Sequence, residues 1–74
     1  MYEVDSKELK KLMIDHDIES ISILSEKTGI DRNTIAKILD GKVLPTYRVI
    51  ERIAKLLQMD SQQIGSIFFK QKVS

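Results

Sequence analysis

The chain has 74 residues, no cysteine and a formal net charge of +1. A chain this short buries only about 60% of the surface that its unfolded form exposes, which excludes a deep substrate cavity. The lack of cysteine excludes a disulfide framework and a thiolate metal site. We therefore expect residues 1–74 to fold as one domain around an apolar core, without cofactor or metal, in a reducing cytoplasm.

The start of the chain does not have the pattern of a targeting signal. Residues 1–5 contain no basic residue, whereas a signal peptide begins with a basic stretch followed by an apolar one. No apolar run approaches the roughly 20 residues that cross a bilayer. The sequence therefore predicts a protein without a membrane partner.

Acidic and basic side chains are distributed unevenly along the chain. Up to Glu26 there are seven acidic residues and three lysines, whereas from Lys27 onward there are nine basic residues and four acidic ones. This asymmetry is expected of a protein with one anion-binding side, but an ordinary solvated surface also shows it. Charge alone leaves both interpretations open.

The first two predicted helices follow an apolar period of about 3.6 residues, and no stretch alternates like a strand. Helix one is predicted over residues 6–16, with Asp5 as its N-cap. Its apolar face contains Leu9, Leu12, Met13 and His16. Ser20 caps the second helix, which ends at Gly29 because glycine adopts the left-handed backbone of a helix stop.

Three more helices are predicted in the rest of the chain. Asp31 caps the third, over residues 32–39, and Gly41 follows its end. Thr46 caps the fourth, and Asp60 or Ser61 caps the fifth. The apolar positions of these last two helices are Ile50, Ile53, Ala54, Leu57, Ile64, Ile67 and Phe68. The prediction is a compact all-α domain of five helices, with residues 70–74 as a flexible tail.

The third predicted helix has two chemically different faces. At about 100° per residue, Ile35, Ile38 and Leu39 share the apolar face. The opposite face contains Arg32, Asn33, Ala36, Lys37 and Asp40. An arginine fork bonds guanine, asparagine bonds adenine, and lysine reaches guanine or phosphate, while a small alanine lets the backbone approach a thymine methyl. A polar helix face is also common on any protein surface, so this face alone does not decide the function.

The segment Thr28-Gly29-Ile30 joins helices two and three by a very short turn. A left-handed glycine at this point allows two helices to cross at about 90–120°. This geometry would project the third helix outward and favours a helix-turn-helix.

The stretch ISILSEKTGIDRNTIAKILDG, at residues 21–41 with Ser20 as its cap, resembles the helix-turn-helix of the XRE family of lambda-repressor-like transcriptional regulators. Leu44-Pro45-Thr46-Tyr47, IERIAKLLQMD and then Ile64 resemble the family's fourth and fifth helices, so the resemblance covers residues 9–67. It implies a bacterial regulator of the cytoplasm and nucleoid that binds double-stranded DNA. A repressor or a Cro-like phage or prophage switch protein, acting as a homodimer on a palindromic operator, is the function expected.

The resemblance also implies roles for individual residues. Family positions matching Arg32, Asn33 and Lys37 commonly touch bases, and Ala36 lies among them. Positions matching four further residues commonly lie near phosphates: Thr34, Lys42, Thr46 and Arg48.

Two further phosphate contacts are expected from the helix N-termini. Their backbone N–H groups and positive dipole ends attract anions, which adds Ser22 and Tyr47 to the phosphate set. Helix capping alone is sufficient to explain why serine and threonine stand at positions 20 and 46, and capping is compatible with a phosphate contact because it orients the same amides.

Two positions depart from the family pattern. Ile21 stands where many members have a phosphate-binding glutamine, so we expect it to pack in the core and leave Ser22 and nearby amides to hold the backbone. Asp31 stands where serine or threonine is usual; its carboxylate suits an N-cap but repels phosphate.

Three consecutive apolar residues near the C-terminus, Ile67, Phe68 and Phe69, suggest a dimer interface, because one helix face can bury only some of them. The alternative is a C-terminal segment that folds over helix one and completes the core.

His16 is the single histidine and lacks a catalytic or metal-binding partner, so no enzyme activity and no small-molecule substrate are expected.

A second function stays open at this point. The low net charge, the acidic first helix and Ile21 also suit a protein-interaction module that binds another regulator or a toxin, as an antirepressor or antitoxin does.

Overall fold

The computed structural model describes residues 1–72, and Val73 and Ser74 lie outside the described residues. Five helices form the body of the domain, and a two-stranded antiparallel pair joins the two ends of the described chain. The elements in chain order are β1 (Tyr2–Glu3), α1 (Ser6–Asp15), α2 (Ile21–Thr28), α3 (Arg32–Leu39), α4 (Tyr47–Leu56), α5 (Ser61–Phe68) and β2 (Lys70–Gln71). The predicted all-α class is confirmed.

Each helix begins at a residue whose side chain accepts a hydrogen bond from a backbone N–H of the first turn. These N-caps are Asp5, Ser20, Asp31, Thr46 and Asp60, with acceptor distances of 3.3, 3.2, 3.0, 3.4 and 2.8 Å. At α5 the Gln63 side chain also accepts from the backbone N–H of Asp60 at 3.1 Å, which completes a capping box. Caps of this kind stabilise a helix by about 1 kcal/mol each, which explains why sequence located the starts well.

Left-handed residues follow the helices at four points. Gly29 and Gly41 have φ values of 75° and 73°, as the glycine positions predict. Asp17 and Gln58 have φ values of 59° and 53° and follow α1 and α4 without the freedom of glycine. The turn after α1 is closed by Ile18 N–H, which donates to the Met13 carbonyl at 2.7 Å.

The core lies between all five helices. Its fully buried large side chains are Leu9, Leu24, Ile35, Ile38, Ile53, Leu57 and Phe68. Each contributes about 1.5–3 kcal/mol through removal of its apolar surface from water. The predicted inward faces of α3 and α4 are confirmed, because their apolar stripes are buried.

The interface prediction is wrong for two of its three residues. Ile67 is 4% exposed and Phe68 is 0% exposed, because α5 packs on α1 and α4 and turns both side chains into the core. Phe69 remains 45% exposed and forms an edge-to-face pair with Tyr2, with 6.1 Å between ring centroids. The alternative, a C-terminal segment that completes the core, is what the structure shows for Ile67 and Phe68.

The predicted flexible tail over residues 70–74 is wrong at its start. Lys70 and Gln71 form β2, which pairs with Glu3 and Tyr2 of β1. Asp5 N–H donates to the Ile67 carbonyl at 2.6 Å and continues this connection. Two-residue strands are too short to show an alternating pattern, so they could not be predicted from the sequence. The last two residues of the predicted tail lie outside the described residues.

None of the helices in residues 1–72 has the length and apolar character needed to cross a bilayer.

Candidate nucleic-acid interface

The turn between α2 and α3 is fixed by a set of short hydrogen bonds. The Thr28 hydroxyl donates to the Leu24 carbonyl at 2.7 Å and accepts from Ile30 N–H at 3.3 Å. The Ser25 hydroxyl donates to the Ile30 carbonyl at 2.5 Å. Gly29 takes the left-handed backbone that the sequence predicts at this turn. The orientation of α3 relative to α2 is therefore set by bonds within the turn as well as by packing.

Arg52 of α4 adds a contact to this turn that sequence reasoning missed. Its guanidinium donates to the Thr28 carbonyl at 3.3 Å, at the C-terminal end of α2 where cations are favoured. The two residues are 24 positions apart, and no local pattern links them. The contact joins α4 to the helix-turn-helix.

The polar face of α3 is mostly exposed to solvent. Arg32, Asn33 and Lys37 are exposed, and Ala36 is half-buried among them. On the opposite side Ile35 and Ile38 are each 1% exposed. The eight residues of α3 thus divide between core and solvent as their spacing predicts.

Arg32 is held by a neighbouring helix. Its guanidinium donates to the Ser22 hydroxyl at 3.2 Å, from the N-terminus of α3 to the first turn of α2. A guanidinium group is planar and has five N–H donors. The bond to Ser22 uses one donor and restrains the orientation of the plane in which the other four lie. The structure brings together a predicted base-reading residue and a predicted phosphate-binding one.

Thr34 and Asp31 form a closed local pair at the start of α3. The Thr34 hydroxyl donates to one Asp31 carboxylate oxygen at 2.7 Å, and Thr34 N–H donates to the other at 3.0 Å. The hydroxyl bond, followed by the backbone bond, lowers the pKa of Asp31 below its ordinary value of 3.8, with a smaller contribution from Lys37. The Thr34 hydroxyl must therefore exchange Asp31 for a phosphate to fill its predicted role.

The N-terminus of α4 lies near that of α3. Tyr47 is 78% exposed, Arg48 is exposed, and Arg48 lines a shallow hollow with Asp31 and Thr34. The Thr46 hydroxyl is the N-cap, so its predicted capping role is confirmed. Lys42, on the loop after α3, is exposed as well.

The start of α2 carries the departure from the family pattern. Ser20 caps the helix, and Ile21 is half-buried and packs against the core, as the sequence predicts. Ile21 offers no side-chain donor, so the exposed Ser22 hydroxyl and the first-turn amides are the polar groups at this end.

A family model described as Cro/C1-type HTH DNA-binding domain matches residues 8–68, from the first turn of α1 to the end of α5. No curated protein and no solved structure matches the chain. The family match confirms the resemblance that the sequence shows over residues 9–67.

Proposed function

Because the chain belongs to the Cro/C1-type HTH DNA-binding domain family and is a DNA-binding transcription regulator, we propose that it is a sequence-specific repressor that reads the major groove with α3. The observation that carries this proposal is the exposed polar face of α3 beside a buried apolar one. An α-helix of this kind fits the major groove, where each base pair presents a distinct pattern of donors and acceptors.

Four residues of α3 are proposed to contact bases. Arg32 bonds the O6 and N7 atoms of guanine, and the Ser22 hydroxyl keeps its fork in one plane. Asn33 bonds adenine, and Lys37 bonds guanine acceptors from the next turn. Ala36 lies between them and contacts a thymine methyl, since a larger side chain would hold the helix away from the bases.

Phosphate contacts are proposed on both sides of α3. On the α4 side they come from Lys42, Thr46, Tyr47 and Arg48, where exposed side chains surround a helix N-terminus. Thr34 shares the hollow with Arg48 and joins this set by releasing its bond to Asp31, whereas Ser22 contacts phosphate from the α2 side. These contacts set the position of α3 and carry no sequence information themselves.

We propose that the regulator acts as a homodimer on a palindromic operator in bacterial nucleoid DNA, in the manner of a Cro-like phage or prophage switch protein. Two α3 helices related by a two-fold axis would read half-sites about 34 Å apart. Phe69 and its partner Tyr2 are the exposed aromatic pair that supports such an interface, since Ile67 and Phe68 are in the core.

The test is selection of binding sites from a random pool of double-stranded DNA, followed by titration of the selected fragment at two salt concentrations. A sequence-specific regulator binds its site about 10³ to 10⁷ times more tightly than bulk DNA. Placed across a promoter, the selected fragment should lower reporter transcription when the protein is present. Recovery of no preferred fragment would contradict the proposal.

A further inference from the structure

A groove of about 320 Å³ lies between the C-terminal end of α1, the start of α2 and the C-terminal half of α3. Its floor and walls are apolar and are formed by Met13, Ile14, Ile18, Ile21, Ala36 and Leu39. Grooves of about 300 Å³ or more, lined by apolar side chains, are the usual size for ligand recognition. Of these residues, Met13, Ile18 and Leu39 belong to the core and Ala36 is a proposed DNA contact, whereas the exposed side chain of Ile14 has neither role.

The groove has a highly exposed apolar side chain, that of Ile14, at its edge. Ile14 is 69% exposed, more than any other isoleucine, leucine or valine in residues 1–72, although it lies within α1. Ile21 extends the same apolar surface at the first position of α2, where it is half-buried. An exposed apolar patch that continues into a groove is typical of a protein-binding surface.

The charges around this groove identify the chemistry of its partner. Glu19 and Asp40 line it, and the exposed Asp15 and Asp17 lie on the chain between Ile14 and Ile18. Lys10 is the only basic residue among the described residues that line it. Among the lining residues, two carboxylates against one lysine give a net charge of −1, which favours a cationic partner over phosphate.

We propose that the groove docks a basic amphipathic helix of another protein. Such a helix places apolar side chains at i, i+3, i+4 and i+7 in an apolar groove, while its lysines and arginines meet an acidic rim. A second copy of this chain offers no such helix among its described residues, because α1 to α5 each turn their apolar face into the core. The occupant is therefore a different chain.

Docking in this groove would compete with DNA. Ala36 lines the groove and also lies on the polar face of α3, and Ser20 at the groove edge begins the α2 terminus. A helix seated there occupies space that the DNA needs beside α3, so the partner acts as an antagonist of DNA binding. This consequence rests on the proposed function, whereas the docking itself does not.

The probe for the test is a synthetic 18-residue peptide with leucine at i, i+3, i+4 and i+7, lysine at the positions that flank this apolar face, and alanine at the remaining positions. A control peptide has the same leucines with glutamate in place of lysine. Binding to the full chain is measured by fluorescence anisotropy, and the site is mapped by NMR from the methyl groups of Ile14, Ile21 and Ala36. We expect the lysine peptide to shift these methyl signals and to bind at least tenfold more tightly than the glutamate peptide.

Two variants of the full chain complete the test. Ile14→Ser should weaken the lysine peptide at least tenfold, whereas Val43→Ser, at an exposed apolar residue outside the groove, should change its affinity less than twofold. Equal binding of both peptides, or full affinity in Ile14→Ser, would overturn the proposal. So would concentration-dependent dimerisation that Ile14→Ser abolishes, because it would identify the occupant as a second copy.

The same variants separate this proposal from the DNA-binding one. Ile14→Ser should keep affinity for the selected DNA within twofold, since Ile14 is not among the proposed DNA contacts. Peptide binding at the groove together with no DNA preference would remove the proposed function and keep the docking site. DNA preference without Ile14-dependent peptide binding would contradict the docking site and leave the proposed function standing.

Discussion

The two surfaces that meet at Ala36 differ in chemistry. The polar face of α3 and the N-terminus of α4 expose polar side chains, among them the basic Arg32, Lys37 and Arg48. Toward the end of α1 the surface is an apolar groove with a carboxylate rim. A net charge of +1 for the whole chain does not show this local difference. One helix of eight residues thus supports two surfaces suited to opposite partners.

The largest effect is expected from a substitution in the core that supports both surfaces. Ile38 is 1% exposed on the buried face of α3, so Ile38→Ala should destabilise the domain by about 2–5 kcal/mol. Urea unfolding measures the loss. Ile14→Ala is the matched control, because an exposed side chain away from the core changes stability by about 0.5 kcal/mol or less. Similar losses in both variants would show that the groove is part of the core.

The next largest effect is expected at the turn that aims α3. Gly29 has a φ of 75°, and a Cβ there would lie 3.3 Å from Arg52 Nη1. Gly29→Ala should therefore cost about 1–2 kcal/mol of unfolding free energy, since the left-handed backbone disfavours a Cβ.

Gly65 provides the opposite control for this turn. It lies within α5, and a Cβ there meets nothing within 4 Å, so Gly65→Ala should stabilise the domain by about 0.5–1 kcal/mol. Thermal unfolding of the two variants should move the midpoint in opposite directions. If both variants lost stability, the added methyl group, which they share, would be the cause, and not the left-handed backbone of Gly29.

The basic surface can be tested separately from base reading. Lys42→Ala should weaken selected and unrelated DNA alike, and should flatten the dependence of log affinity on log salt by about one unit. Lys55→Ala, at the far end of α4, should leave that slope unchanged. A loss of affinity for the selected DNA alone would contradict a phosphate contact and would indicate that Lys42 contacts a base.

The smallest effect is expected from the carboxylate at the edge of the basic surface. The Thr34 hydroxyl lowers the pKa of Asp31 below 3.8, so NMR titration should find Thr34→Val restoring this pKa toward 3.8 and Thr34→Ser keeping it low. A lowered folded-state pKa contributes stability above the unfolded pKa, and this is lost as pH falls through the folded pKa. Asp31→Asn should remove that small acid-dependent part of the stability, whereas an unchanged pH profile would mean that the bond does not persist in solution.

Much of the fold could be predicted from sequence because its signals are local. The caps Ser20, Asp31 and Thr46 and the stops Gly29 and Gly41 lie within a few residues of the helix ends that they define. The apolar period then identified which faces are buried.

The features that sequence did not predict depend on contacts between distant parts of the chain. The β1–β2 pair joins the two ends, and Arg52 reaches Thr28 across 24 positions. Ile67 and Phe68 were misplaced at an interface because a run of three apolar residues does not show which of them α1 covers. The groove beside Ile14 likewise became visible only when three helices were brought together. The left-handed Gln58 has no local signal either, since glutamine is not a residue that favours this backbone.

The most direct test of the account is the affinity of Arg32→Ala for the selected DNA and for a scrambled fragment of equal length. If α3 reads bases, the variant should lose about 1–3 kcal/mol on the selected fragment and much less on the scrambled one, with relaxed preference at one base pair. Equal losses on both fragments would show that Arg32 contacts only phosphate, and would contradict the claim that the polar face of α3 reads the sequence.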